Sequence, residues 1–243
     1  MLGRKKFPHV LLVHAGGLDG RMWHPLAERL KDSYRLHMPD LRGHGDTPFP
    51  PEEYADADDL VRVLDHLRVR RAIVIGCSFG GWVALQLATT APERVRALAL
   101  FAGTLGDTEE WSPELEAFRE QEEALVEAGD IDAAVELNLR TWVREPSIAD
   151  LVADMSRKAF ELQRGVDAQE RDVPVDLSAI TVPVLAVSGG RDFPDFARMA
   201  DRVAAEVPGA ERAEVPDAGH LIPLERPDAA AELLRAWLKR VGA

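Results

Sequence analysis

Short apolar runs alternate along this chain with longer stretches whose apolar residues recur at helical spacing. The runs fall at residues 10–14, 34–38, 72–76, 95–101, 182–188 and 210–215, and each is predicted to be a strand. Strands separated by helix-length segments imply β-α-β units, hence a parallel sheet covered by helices on both faces. Residues 72–75 and 184–187 are apolar throughout, which suits central strands. Residues 34–38 alternate instead and put Arg35 and His37 on one face, which suits an edge. Between Gly106 and Pro183 the strand signals give way to acidic, alanine-rich helical segments such as ELEAFREQEEALVEAG and IDAAVELNLRTWV. Gly129 with Asp130, and Pro146 with Ser147, read as helix stops followed by new starts. The pattern predicts a single α/β domain over residues 1–243 with about six mostly parallel strands and a helical cap inserted at 107–180.

The most informative junction is IVIGCSFGGWV at residues 73–83, where a buried run meets helical spacing. A turn that pushes its middle residue out of the sheet needs small neighbours, because Cβ atoms two before and two after it would clash. Gly76 and Gly80 supply them around Ser78. In this setting G-x-S-x-G reads as a nucleophile elbow, which presents a serine hydroxyl above the sheet beside a helix N-terminus. The bare pattern also fits an ordinary glycine turn; the β-branched run before it and GGWVALQLA after it favour the elbow. The helix end and the Phe79 amide are then placed to stabilise negative charge. Cys77 reads as a small packing residue, since the tip of the elbow is Ser78.

A serine nucleophile needs a base, the base needs an orienting acid, and the elbow's chain order is serine, acid, histidine. His220, in PDAGHLIPLERP, is the only histidine after Ser78 and follows the last predicted strand, at the sheet edge where ligands bind. It is the candidate base. The run at 182–188 leads into GGRD and delivers Asp192 to the same edge as the candidate acid. Asp195 competes, but reads better as an N-cap or first-turn carboxylate of the helix FARMADRVAAEV. The first run ends in HAGGLDGRMW, whose glycines let backbone amides approach a ligand closely. Gly16 or Gly17 is therefore expected to complete an oxyanion hole with Phe79, a plain turn being the alternative. His14 is expected to orient or pack.

Composition narrows the partners. A formal charge of −13 and a pI near 5.0 leave no basic footprint for nucleic acid. The apolar run after MLGRKKF is too short for a secretory signal, and no run approaches the roughly 18–20 residues that cross a bilayer. The single cysteine cannot form an internal disulfide. These features suggest a cytoplasmic protein. Histidines and carboxylates do not cluster at ligand spacing, so no metal is expected.

With those residues in place the chain resembles an α/β-hydrolase. The likeness is carried, in order, by VLLVHAGG with Trp23, PDLRGHGDT at 39–47, GCSFGG, PERVRALAL, VPVLAVSGGRD and DAGHLIPLERP, over nearly the whole length outside the insertion. It implies Ser78 as nucleophile, His220 as base, Asp192 as acid and an oxyanion hole from Phe79 with Gly16 or its neighbour. The chain is most similar to the serine esterase and lactonase branch, including 3-oxoadipate enol-lactonases and carboxylesterases. Family dehalogenases and epoxide hydrolases carry aspartate at the elbow tip, where this chain has serine. Two departures stand out. The family often has His-Gly where this chain has His14-Ala15, which leaves the oxyanion assignment open by one residue. Only nine residues precede Val10, so the family's first hairpin is expected to be missing and residues 34–38 to form a bare edge or a dimer contact. The chain is accordingly expected as monomer or homodimer.

The expected chemistry is hydrolysis of a small carboxylic ester or lactone through an acyl-enzyme, with no cofactor. Trp111, Trp142 and Phe160, with Phe118 and Met155, are candidates to line the acyl pocket, helical packing being the alternative for each. Arg140, Arg144 and Arg164 are candidate contacts for a substrate carboxylate, with solvated helix faces as the default. The rival readings are C–C bond hydrolysis or perhydrolysis on the same triad, and a ligand-binding signalling protein that turns over slowly.

Overall fold

The structure, a computed structural model, describes residues 7–106 and 111–243. The basic start at residues 1–6 and the first four positions of the expected cap, 107–110, lie outside the described residues. Six strands, β1 (His9–Val13), β2 (Arg35–His37), β3 (Ala72–Cys77), β4 (Val95–Phe101), β5 (Val184–Gly189) and β6 (Glu211–Val215), form one all-parallel sheet. Their order is β2-β1-β3-β4-β5-β6.

Each predicted run yields one strand, with ends moved by local chemistry. Tyr34 drops out of β2 because its amide bonds back to the Leu30 carbonyl at 3.1 Å, closing the preceding helix. Pro183 has no N–H to donate, so β5 starts at Val184, two residues into the predicted run, although the Pro183 carbonyl still accepts from Leu98 at 2.9 Å. The apolar strands β3 and β5 are buried along their whole length, as expected of central strands. Exposed or half-buried residues dominate β2 and β6, the two edges among the described residues. On β2 the His37 ring stacks on His9 of β1, the centroids 5.1 Å apart.

Nine α-helices accompany the described sheet: α1 (His24–Leu30), α2 (Asp56–His66), α3 (Phe79–Thr90), α4 (Pro113–Ala128), α5 (Ile131–Trp142), α6 (Ala149–Gln163), α7 (Pro194–Glu206), α8 (Ile222–Glu225) and α9 (Pro227–Val241). The chain steps from β1 outward to β2, then crosses back over β1 to β3 and continues the other way. Right-handed crossovers place α1 on one face of the sheet and α2, α3 and α7 on the other. In keeping with this, α1 packs on α9 and α2 on α3. The loops leaving β1 and β3 diverge, opening a crevice at the strands' carboxyl ends where ligands bind in such sheets.

Helices α4, α5 and α6 occupy the span read as a cap. Gly129 ends α4 with φ 77°, and the Asp130 side chain caps α5 by accepting from the Ala133 amide at 3.2 Å. Leu115, Phe118, Leu137, Val152 and Met155 from these helices join the same apolar core as the sheet. Ion pairs fasten α6 to the loops beyond β1 and β2, Arg21 with Asp154 at 2.6 Å and Lys158 with Asp46. Among the described residues no helix is long and apolar enough to cross a membrane.

Candidate active site

Ser78 sits between β3 and α3 with φ 53° and ψ −121°, a strained conformation that costs of order 1–3 kcal/mol for a non-glycine residue. Its amide donates to Phe101 at 3.0 Å, and its carbonyl accepts from Gly81 at 2.8 Å and Thr104 at 3.2 Å. A Cβ on Gly76 would lie 2.2 Å from the Gly80 carbonyl oxygen, the clash within the turn expected from the sequence. A Cβ on Gly80 would instead meet Val13 and His14 carbonyl oxygens of the neighbouring strand end, at 2.2 and 2.4 Å. Gly76 thus closes the elbow, and Gly80 lets α3 start against the end of β1. Cys77 is fully buried with its thiol 3.9 Å from the His220 carbonyl, and burial pushes its pKa up, so it stays protonated.

His220 and Asp192 meet. The His220 Nδ1 lies 2.8 Å from Asp192 Oδ2, the two side chains 6% and 2% exposed. A carboxylate there calls for the proton on Nδ1, which leaves the Nε2 lone pair free to accept. Asp192 Oδ1 accepts from the Phe193 amide at 2.8 Å, so both oxygens are held. The acid and histidine loops are bonded together, Gly190 to Val215 at 3.0 Å and Arg191 to Ala218 at 2.9 Å. Asp195 lies in the first turn of α7, where it accepts from the Ser112 amide at 2.7 Å and from Arg198 at 3.1 Å. Burial opposes its charge, but these hydrogen bonds prevail and hold its pKa below the usual carboxylate range. Its task is to attach the start of α4 to α7. Glu225, which sequence reasoning passed over, accepts from the Gly219 amide at 2.7 Å and so shapes the histidine loop; burial raises its pKa.

The glycine loop after β1 faces the elbow. A Cβ on Gly16 would be 3.5 Å from Phe79 Cβ. The Gly17 amide is committed to His44 Nε2 at 3.1 Å, whereas the Gly16 and Phe79 amides have no protein partner among the described residues. His14 is buried, with Nδ1 2.9 Å from the Ala15 carbonyl and Nε2 accepting from Leu41 at 2.8 Å. Burial lowers its pKa to about 4, leaving it a neutral, packed linker between loops.

Ser78, His220, Gly16, Gly17 and Phe79 open onto one cavity of about 1010 Å³. Trp111, Trp142, Phe118 and Phe160 line it, while Met155 is packed in the core at zero exposure. Trp142 and Phe196 flank the His220 ring with centroids 4.5 and 4.2 Å away. Trp142, at the end of α5 in the span read as a cap, therefore touches the candidate base. Arg140, Arg144 and Arg164 do not line the cavity; Arg119, Arg171 and Arg202 do. So does Glu122, whose pKa burial raises and which accepts from Asn138 at 2.5 Å. A signal for Glu122 was present: it falls on the α4 stripe of Leu115, Phe118 and Leu125, where an apolar residue belongs. Among the described residues no group of three or more histidine, cysteine or carboxylate side chains is arranged to hold a metal ion.

Residues 10–233 match the model of the alpha/beta hydrolase family. The chain is 32% identical to a pimeloyl-[acyl-carrier protein] methyl ester esterase of Neisseria meningitidis, over 98% of both chains. It superposes on a hydrolase from Pseudomonas aeruginosa PA01 with TM-score 0.80 at 28% identity, covering 97% of this chain and 91% of that one. The enol-lactonase from Burkholderia xenovorans LB400 gives TM-score 0.79 at 25% identity, covering 98% and 94%.

Proposed function

Because the chain belongs to the alpha/beta hydrolase family, we propose that it is a serine hydrolase that cleaves a small carboxylic ester or lactone through an acyl-enzyme on Ser78. The observation that carries this reading is the convergence on one aromatic-walled cavity, at the switch point of the sheet, of the strained Ser78 elbow and of His220, which Asp192 holds from behind. His220 Nε2 takes the Ser78 proton as Oγ attacks the carbonyl carbon, and the imidazolium that forms is stabilised by Asp192. The developing oxyanion is met by the amides of Phe79 and Gly16, each such donor being worth roughly 10²- to 10³-fold in rate. His220 then protonates the leaving oxygen, which departs as the alcohol of an ester or stays tethered as the hydroxyl of an opened lactone. It next deprotonates the water that attacks the acyl-enzyme and hands that proton to Ser78 Oγ as the Ser78–acyl bond breaks and the acid leaves. The groups that act all belong to this chain, read as one domain with a cap at 107–180.

The relatives named for a methyl ester esterase and an enol-lactonase support ester and lactone substrates here. A cavity of about 1010 Å³ with Trp111, Trp142 and Phe160 in its wall suits an extended, largely apolar acyl group. Sustained turnover of p-nitrophenyl esters of graded chain length, lost in Ser78→Ala, is the expected result; turnover untouched by that substitution would remove the acyl-enzyme from the account.

A further inference from the structure

The segment PDLRGHGDT has no part in the acyl-transfer steps above, yet it is sewn to the glycine loop by three hydrogen bonds. Gly20 donates to Asp40 Oδ1 at 2.8 Å, Leu41 donates to His14 Nε2 at 2.8 Å, and Gly17 donates to His44 Nε2 at 3.1 Å. The third carries more than its neighbours. His44 Nδ1 lies 2.8 Å from the Arg42 carbonyl, so its proton sits there and Nε2 is an acceptor. That same Nε2 is 3.2 Å from the side-chain amide of Gln163, the last residue of α6, whose nitrogen also donates to the Gly43 carbonyl at 3.2 Å. The ring is 6% exposed and is packed near Phe79 and His14, with centroids 6.5 and 4.9 Å away. Burial lowers its pKa to about 3, in keeping with a neutral acceptor.

Gly16 and Gly17 are adjacent glycines, and Gly17 has φ 69°. Such a pair samples many backbone conformations, whereas an oxyanion donor is effective only when it is aimed before the reaction begins. Some contact must select one conformation. We propose that His44 is a positioning residue that, by holding the Gly17 N–H, fixes the glycine loop so that the Gly16 N–H faces the oxyanion beside Phe79, and that Gln163 joins this setting to the seated cap. The inference rests on the acyl-transfer reading of the site. Two adjacent amides then have separate tasks, Gly17 anchoring and Gly16 donating, which settles the one-residue ambiguity left by His14-Ala15.

The test compares His44→Leu, which removes the acceptor, with His44→Gln, which keeps one at a similar reach, in folded protein verified by its melting transition. Misaiming one donor is expected to lower kcat about 10- to 100-fold with KM changed less than threefold. Inhibition by phenylboronic acid, which mimics the tetrahedral species on a serine, should weaken in parallel, and His44→Gln should recover most of both losses. A folded His44→Leu enzyme with kcat within twofold of the parent, or a glutamine variant no better than leucine, overturns the proposal. Should His44→Leu not fold, nitrogen-15 NMR of the unmodified protein decides. A His44 imidazole protonated on Nδ1 is expected; protonation on Nε2 refutes the anchoring bond. If the parent protein neither turns over esters nor reacts with a fluorophosphonate, the acyl-transfer reading has failed instead, and the NMR result still judges the hydrogen bond.

Discussion

Replacing Asp192 by asparagine separates the proposed acid from its rival three residues away. Both Asp192 oxygens face donors, the Phe193 amide at 2.8 Å and His220 Nδ1 at 2.8 Å, in a side chain 2% exposed. An asparagine has one oxygen for two positions that each need an acceptor. If the oxygen stays on Phe193, the new NH₂ faces His220 and forces its proton onto Nε2, removing the lone pair that takes the Ser78 proton. If the oxygen turns to His220, two N–H groups collide at Phe193 and the imidazolium has lost its counter-charge. Either arrangement disables the base, and a loss of about 10²- to 10⁴-fold in kcat, or about 3–5 kcal/mol of barrier, follows. Asp195→Asn differs because Asp195 Oδ2 has no partner, so the amide oxygen can stay on Ser112. That variant should lose about 1–2 kcal/mol of stability from the weakened anchor and keep kcat within about threefold. Steady-state hydrolysis of p-nitrophenyl butyrate, paired with urea unfolding of each variant, measures both quantities. A folded Asp192→Asn enzyme slowed less than tenfold, or an Asp195→Asn enzyme slowed more, would refute the assignment.

Two further predictions concern stability. Gly80→Ala drives a Cβ to 2.2 Å from a backbone oxygen of Val13, a neighbour that cannot rotate away; destabilisation near the upper end of overpacking, about 3 kcal/mol, should lower the melting temperature by about 6–12 °C, and a drop under 2 °C in calorimetry would contradict the close approach. Asp56 is buried and carries a pKa raised to about 7, by burial first and then by Glu170. The folded state therefore holds its proton more tightly than the unfolded chain, whose aspartates titrate near ~3.9. The associated stability is fully present below about pH 4 and is lost as pH rises through about 7. Asp56→Asn should accordingly stabilise the protein by about 2–4 kcal/mol at pH 8 and change little at pH 4; equal effects at both pH values in urea unfolding would show that the carboxyl is not held protonated.

Much of this molecule was legible along the chain because each strand carries its own apolar run. Residues 72–75 and 184–187 announced central strands, the alternation at Arg35 and His37 an edge, and Gly76 with Ser78 a turn whose closure follows from sterics within five residues. Asp192 and His220 could be named because strand ends deliver side chains to one edge of a parallel sheet. What stayed hidden depends on contacts between distant segments. Gly80 looked like half of a turn, yet its space is taken by the end of β1. His44 stood in a motif without an assigned task, because a bond between residues 17 and 44 has no signature along the chain. Arg119 and Arg171, not Arg140 or Arg164, line the cavity, since the facing of a charged cap residue depends on how α4–α6 settle over the sheet.

Reaction with a fluorophosphonate followed by peptide mass mapping asks whether Ser78 is the nucleophile and His220 its activator. One adduct is expected, on the peptide containing Ser78, and it largely disappears in His220→Ala. A folded protein that stays unlabelled, or carries its adduct elsewhere while still hydrolysing esters, would contradict this assignment.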